Sequence, residues 1–317
     1  MDQPILVIAL GGNAIKQAHE KGTTEEQFHN VDVTAKQIAK IAHEGYKLVI
    51  THGNGPQAGA LLIQQEETNG LVPAQTLAVC GAMTQGQIGW MMQNRIAFRL
   101  HEESVEIPVC TVVTQVVVSE DDPDFQDPTK PVGPFYTKEE AIKNRDKKGY
   151  IVKEVKPGAE KGWRRVVPSP EPIKVVESES INSLVKNNVI VIASGGGGIP
   201  VRENSDGSYS GVEAVIDKDR AGFKLAQTVS ADKFLILTDV EKAFINYNKP
   251  NQQGLDRITV KEAEKYEAEG HFLMGSMGPK MQAAIRFVKW SGKEAIITSL
   301  NKALDALKGK TGTHIIP

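Results

Sequence analysis

Three glycine-rich turns, each placed directly after a short apolar run, constrain this chain more than any other feature. They are Gly11-Gly12-Asn13 after PILVIAL, Gly53-Asn54-Gly55-Pro56 after KLVIT, and Gly195 to Gly198 after VIVIAS. A turn without Cβ atoms lets backbone N–H groups converge on an anion, and a helix starting behind it adds the positive end of its dipole. Gly-Gly pairs punctuate any α/β chain, so one such turn carries little. Three carry more, because in an open parallel sheet every strand ends on the same edge and turns distant in sequence meet in one crevice.

Residues 4–10, 47–51, 107–113, 189–193, 233–238 and 293–297 are Val- and Ile-rich runs bounded by Gly, Pro, Asp or Ser. They read as strands buried on both faces. Helical patterns occupy about 24–44, 56–67, 76–101, 218–228, 260–269 and 279–290. In the last of these Met281, Ala284, Ile285 and Val288 recur at helical spacing, and Pro279 suits the first helical position. The alternation predicts an α/β chain with a largely parallel sheet covered on both sides. At 317 residues it forms either one large domain with a cleft or two lobes.

One stretch breaks the alternation. Half of the 16 prolines fall between Pro123 and Pro172, together with the charge-dense KNRDKKG and with GWRRVVPSPEP. That composition suits a surface linker. Yet Phe135, Tyr136, Tyr150, Ile151, Val152, Trp163, Val166 and Val167 supply enough apolar surface for a small core, which favours a compact insertion over 121–168 that protrudes above the cleft as a lid.

The formal net charge is −2, and the charged residues, 24% of the chain, are interspersed in sign. Neither nucleic acid nor an anionic membrane is an expected partner. No apolar run reaches the roughly 18 to 20 residues of a membrane span, and Asp2 stands where a secretory signal would carry basic residues. A soluble cytoplasmic protein is expected. Cys80 and Cys110 lie in apolar surroundings outside any ligand-type spacing, so both are expected buried, reduced and inert.

Familiar nucleotide and hydrolase motifs are absent. GSMGPK lacks P-loop spacing, and Gly309-Lys310-Thr311 has Leu304 where the first P-loop glycine belongs. What remains is positive charge and backbone donors at strand ends. Lys218 in AVIDKD and Lys280 in GSMGPK are each compatible with a surface charge at a helix start and with a phosphate ligand. Asp217 and Asp219 flank Lys218 and offer a way to hold a lysine rotamer while its ammonium faces phosphate. Phosphoryl transfer suits such a site, since the transferring group needs in-line positioning and charge neutralisation rather than a covalent protein step. Thr238-Asp239-Val240 follows the strand KFLIL; its aspartate reads as a helix cap or as part of a nucleotide site. His52 reads as a packing group or an acid–base group. Lys130, in PTKPVGPFY, reads as a solvated loop lysine or as a third cation delivered by the insertion.

Taken in order, ALGGNA, HGNGPQ, PTKPVGPFY, GWRRVVPSPEP, GGGGIPV, GVEAVIDKDRA, LTDVEKA and GSMGPKMQAA span nearly the whole chain and closely resemble the carbamate kinases of the amino acid kinase family. HGNGPQ and the proline-rich insertion separate that group from the acetylglutamate, aspartate and uridylate kinases. The resemblance implies a three-layer αβα sandwich and a homodimer. Residues 1–187 would form the acceptor lobe, containing the protruding insertion 121–168, and 188–317 the nucleotide lobe. It further implies reversible, Mg²⁺-dependent phosphoryl transfer between ATP and carbamate, giving ADP and carbamoyl phosphate, usually ATP-forming in the breakdown of arginine or other carbamoyl compounds. Under it, Gly11, Gly12, Asn13, Gly53, Asn54 and Gly55, with Gly196 and Gly197 of the third turn, would hold carbamate and the transferring phosphoryl. Lys218 and Lys280 would neutralise phosphoryl oxygens, Asp217 would orient the lysines, and Lys130 would secure carbamoyl phosphate. Thr238, Asp239 and Val240 would lie beside the nucleotide, whose phosphates rather than protein side chains would hold Mg²⁺.

Two positions depart from the wider family. Ala9-Leu10 stand where many relatives carry a lysine before Gly-Gly, a charge that Lys218 would replace, and Ala243 stands where a branched aliphatic residue is usual, with a small packing change expected. The alternatives are another small-carboxylate kinase of the family, such as one acting on acetylglutamate, and a sensor that binds nucleotide or carbamoyl phosphate without turnover. The complete lysine set weighs against a sensor, which need not stabilise a transition state.

Overall fold

Side chains of the strand Ile5–Leu10 alternate between two cores: Leu6, Ile8 and Leu10 enter one, Val7 and Ala9 the other. Helices Thr24–His43, Leu77–Glu102 and Ala303–Leu307 close the first core. Helices Ser178–Lys186, Lys218–Thr228, Val260–Ala268 and Met277–Ser291 close the second. A sheet with helices on both faces is the expected three-layer sandwich. In this computed structural model residues 3–273 and 276–317 are described; Asp2 and Gly275, the first residue of GSMGPK, lie outside them.

The main sheet runs Arg257–Thr259, Thr313–Ile316, Ala295–Ser299, Lys233–Thr238, Ile5–Leu10, Lys47–His52, Ile190–Ile192, Val109–Thr111. From Ala295–Ser299 to Val109–Thr111 every neighbouring pair is parallel. Thr313–Ile316 pairs antiparallel with Ala295–Ser299 and parallel with Arg257–Thr259, so one edge is reversed. That short final strand was not expected after 293–297, because four residues ahead of a proline carry almost no periodicity.

Several expectations are corrected. Val109–Thr111 is a half-buried edge strand, not one covered on both faces, and Cys110 on it is half-buried while Cys80 is buried. Pro279 is the third residue of its helix, which starts at Met277; proline is tolerated there because first-turn N–H groups have no intrahelical partner. Asp239 caps no helix, for the chain turns instead into the short strand Phe244–Ile245. Ala243 is fully buried and its N–H donates to Thr313 Oγ1 at 2.8 Å.

Within 121–168 the chain folds into a three-stranded antiparallel sheet, Lys130–Tyr136, Trp163–Val167 and Val152–Glu154. Against it lies the helix Lys138–Lys148, opened by a Thr137–Glu140 capping box and closed by Gly149 at φ 68°. Tyr136, Ala141, Val166 and Val167 are buried, but Val167 clusters with Val132 against Leu62, Leu77 and Cys80 of the main body rather than in a core of the insertion's own, and Phe135 and Ile151 stay exposed.

The reversed edge is tied down by His314. Its Nδ1 lies 2.9 Å from Glu294 Oε1 and its Nε2 2.9 Å from the Thr311 carbonyl. Two acceptors require both ring nitrogens to donate, which only the imidazolium does. The bond to Glu294 raises the pKa of His314, against burial and the nearby charge of Arg257. The same bond, opposed by burial and assisted by Lys233 at 2.9 Å, lowers that of Glu294 to about 2. A raised histidine pKa stabilises fully below its unfolded value, near 6.5, and the gain is lost as pH rises through the folded value. Urea denaturation from about pH 6 to 9 should therefore show wild type losing more stability than His314→Gln. A gap between the two proteins that stays constant over that range would mean that His314 contributes packing alone.

Candidate active site

Strands ending at Leu10, His52, Ile192 and Thr238 all finish on one sheet edge, and the three glycine turns follow the first three of them. Two chambers open there. The larger, about 740 Å³, is lined by Gly12, Gly53, Asn54, Gly55, Gly196, Lys130, Asp217, Lys218 and Lys280 among others. The smaller, about 440 Å³, is lined by Gly11, Gly12, Asn13, Thr238, Asp239, Lys218 and Lys280 among others. Gly12, Lys218, Ser276 and Lys280 line both, so the two lysines stand at the junction. Of the residues singled out from sequence as site candidates, His52, Gly197 and Val240 line neither chamber.

Local sequence explains how the cations arrive. Asp217 is the N-cap of the helix Lys218–Thr228; its Oδ1 accepts from the N–H groups of Asp219 at 2.9 Å and Arg220 at 3.4 Å. Capping leaves Lys218 and Asp219 in the first turn, beside the junction. Lys280 belongs to the first turn of Met277–Ser291 and also donates to the Ser276 carbonyl at 3.1 Å. Lys130 opens the insertion strand Lys130–Tyr136.

The expected orientation of the lysines by Asp217 is divided between two carboxylates. Asp217 Oδ2 accepts from Lys130 Nζ at 2.8 Å. Asp219, only 2% exposed, accepts from Lys218 Nζ at 2.5 Å and is paired with Lys280 Nζ at 3.5 Å. Burial works to raise the pKa of Asp217, yet the charges of Lys130 and Lys218 and the Asp219 N–H prevail and bring it to about 2. Burial, then the charge of Lys218, lowers the pKa of Lys280, while Asp219 and Asp217 oppose that shift. The sequence offered Asp219, with Asp217, as a holder of a lysine rotamer; that it also reaches the lysine of a second helix depends on how the two helices pack.

Backbone completes the site. The helix Gly55–Thr68 starts at the larger chamber with no side-chain cap and no acidic residue in its first turn, and the Asn54 amide at its N-cap donates to Thr84 Oγ1 at 2.9 Å. Its positive end is left for an anion. At Gly53 a Cβ would come within 3.3 Å of the Gly12 nitrogen and 3.4 Å of Lys218 Cδ, so glycine there lets two turns and a lysine approach closely. His52 is a packing group. It is 1% exposed, its Nδ1 lies 3.0 Å from the Gly53 carbonyl, and burial lowers its pKa to about 4, so it is neutral near pH 7. Gly197, at φ +100°, instead brings the chain against the Ile216 carbonyl, where a Cβ would lie 2.3 Å from the oxygen.

Comparison with known proteins places these features in context. The model of the amino acid kinase family matches residues 4–299. The carbamate kinase of Thermococcus kodakarensis is 56% identical over 314 residues, covering 98% of each chain. That of Pyrococcus furiosus is 54% identical, covering 98% of this chain and 99% of its own. Among solved structures, carbamate kinase from Giardia lamblia bound to AMP-PNP superposes with a TM-score of 0.93 at 48% identity, covering 99% of this chain and 98% of the other.

Gly197→Ala should cost at least about 1 to 3 kcal/mol in urea denaturation, from the left-handed backbone and the carbonyl contact together. Unchanged stability with lost anion binding would return Gly197 to the phosphate site expected from sequence.

Proposed function

The chain belongs to the amino acid kinase family, within its carbamate kinases, and from that premise we propose that it catalyses reversible, Mg²⁺-dependent phosphoryl transfer between ATP and carbamate, giving ADP and carbamoyl phosphate. The observation that carries this reading is the convergence of Lys218 and Lys280 on Asp219 where two chambers meet. Carbamate or carbamoyl phosphate occupies the larger chamber and nucleotide the smaller, so the phosphoryl group crosses between them at the junction. As negative charge spreads over its oxygens, the two ammonium groups, already desolvated and held, neutralise it without reorganisation. The free N-terminus of Gly55–Thr68 and the amide of Gly12 stand on the acceptor side, and Lys130 is brought there by the insertion.

Mg²⁺ would be held by the nucleotide phosphates and would supply neutralisation of their charge. The side chains fit this role for phosphate. Asp217 and Asp219 are engaged by lysines, and Asp239, which accepts from Thr238 Oγ1 at 2.9 Å, is the one acid lining the smaller chamber among the described residues.

We assign residues 1–187, with the insertion 121–168 as a lid, to the acceptor side and 188–317 to the nucleotide side. Support comes from Gly53, Asn54, Gly55 and Lys130 in the larger chamber and Thr238 and Asp239 in the smaller, although Gly11 and Asn13, expected beside carbamate, line the smaller chamber alone. We further propose ATP formation during breakdown of arginine or related carbamoyl compounds, in the cytoplasm. Among the described residues no helix is long and apolar enough to cross a membrane. A homodimer is favoured by Val79, Met83, Trp90 and Phe98, exposed on Leu77–Glu102 at spacings of four, seven and eight that put them on one helix face.

ADP-dependent ATP formation from carbamoyl phosphate with Mg²⁺ tests the reaction directly. Lys280→Ala should lower kcat on the order of 10² to 10³, as other lost electrostatic donors do; a loss below about tenfold would demote Lys280 to a surface charge. Sedimentation of Trp90→Glu should show monomers, and a persistent dimer would move the interface elsewhere.

A further inference from the structure

Charged residues lining the larger chamber are Lys130, Lys218, Lys280, Arg164, Asp217 and Asp219. Each lysine stands against a carboxylate, Lys130 on Asp217 and the other two on Asp219. Arg164 does not. Its Nη2 donates to the Gly133 carbonyl at 2.6 Å and its guanidinium lies 4.9 Å from the Phe135 ring centre, and among the described residues it has no acid partner. Its Nε is buried without any hydrogen-bond partner. A guanidinium does not escape by losing its proton, although burial pulls its pKa down. A half-buried cation with an unmet donor is costly to hold, and such groups call for an explanation.

Four cations against two carboxylates leave the chamber with an excess of two positive charges. That excess matches a dianionic acyl phosphate. Arg164 projects from Trp163–Val167, the strand paired with Lys130–Tyr136, and it lines the larger chamber but not the smaller. We propose that Arg164 binds the oxyanions of the acyl phosphate directly, presenting its fork to two oxygens at once, and so belongs to the carbamoyl phosphate site and not to the nucleotide site. A fork of N–H donors suits two oxygens of one group where a lysine offers a point charge. Lys130, by contrast, is already committed to Asp217, so the insertion contributes one cation that is paired and one that awaits its anion.

This assignment rests on the reaction proposed above, and two separate measurements test it. In steady-state ATP formation, Arg164→Met should raise KM for carbamoyl phosphate about 10- to 100-fold, the scale of a lost charged hydrogen bond, while leaving KM for ADP within about threefold. Arg164→Lys should recover only part of the loss. In thermal denaturation without ligand, Arg164→Met should melt no lower than wild type, because no carboxylate is stranded. The rise in melting temperature that carbamoyl phosphate alone gives wild type should disappear in the variant. Equal increases in both KM values, or a lower unliganded melting temperature with the carbamoyl phosphate response intact, would overturn the assignment and make Arg164 a structural residue. Absence of turnover in wild type would sink the reaction, and the thermal response to carbamoyl phosphate would still decide on Arg164.

Discussion

The buried carboxylate of Asp219 is the interaction on which the rest of the site depends. Two lysines from different helices, 62 positions apart in sequence at 218 and 280, share it. Without that shared charge, two ammonium groups at the junction would repel one another, and their positions would be set by solvent rather than by the protein. With it, both are held where the two chambers meet, largely out of bulk water before anything binds.

Everything upstream serves to bring those groups to one edge. Parallel strands all end there, so each strand in the run adds a turn to the same crevice, and small residues let the turns approach within van der Waals contact of one another. The reversed strands at Arg257–Thr259 and Thr313–Ile316 contribute no such turn; their edge is closed by His314, Glu294 and Lys233. The ion pairs that line the chambers and those that close the sheet edge therefore lie in different parts of the molecule, the former gathered at the ends of the central strands.

The insertion brings the remaining charge. Its elements are a capping box, a left-handed glycine and a three-stranded antiparallel sheet with Trp163–Val167 in the middle. Attachment is tertiary. Glu66, on Gly55–Thr68, accepts from Tyr150 at 2.9 Å and from Lys148 at 3.0 Å, and Arg165 pairs with Glu213 at 2.8 Å. The helix whose N-terminus faces the larger chamber is thus also one that carries the insertion.

Much of this was legible in the sequence. Val- and Ile-rich runs and 3.6-residue periodicity located the central strands and most long helices to within a few residues, because burial on two faces imposes a composition that no other environment asks for. The glycine turns and the order of motifs indicated an anion site and a family. Short elements were not legible: Thr313–Ile316 is a strand because Ala295–Ser299 offers it a partner, and Asp239 lacks a helix to cap. Gly197 belongs with the phosphate turn by pattern, yet its contact with Ile216 gives it a backbone role. Sequence alone determined which chemical groups are present and which of the central strands and long helices carry them, since these follow from local preference and periodicity. Only the tertiary structure decided which carboxylate holds which lysine and which cation is left without one, because charges couple over a few ångströms of space and the chain brings residues that close from positions far apart along its length.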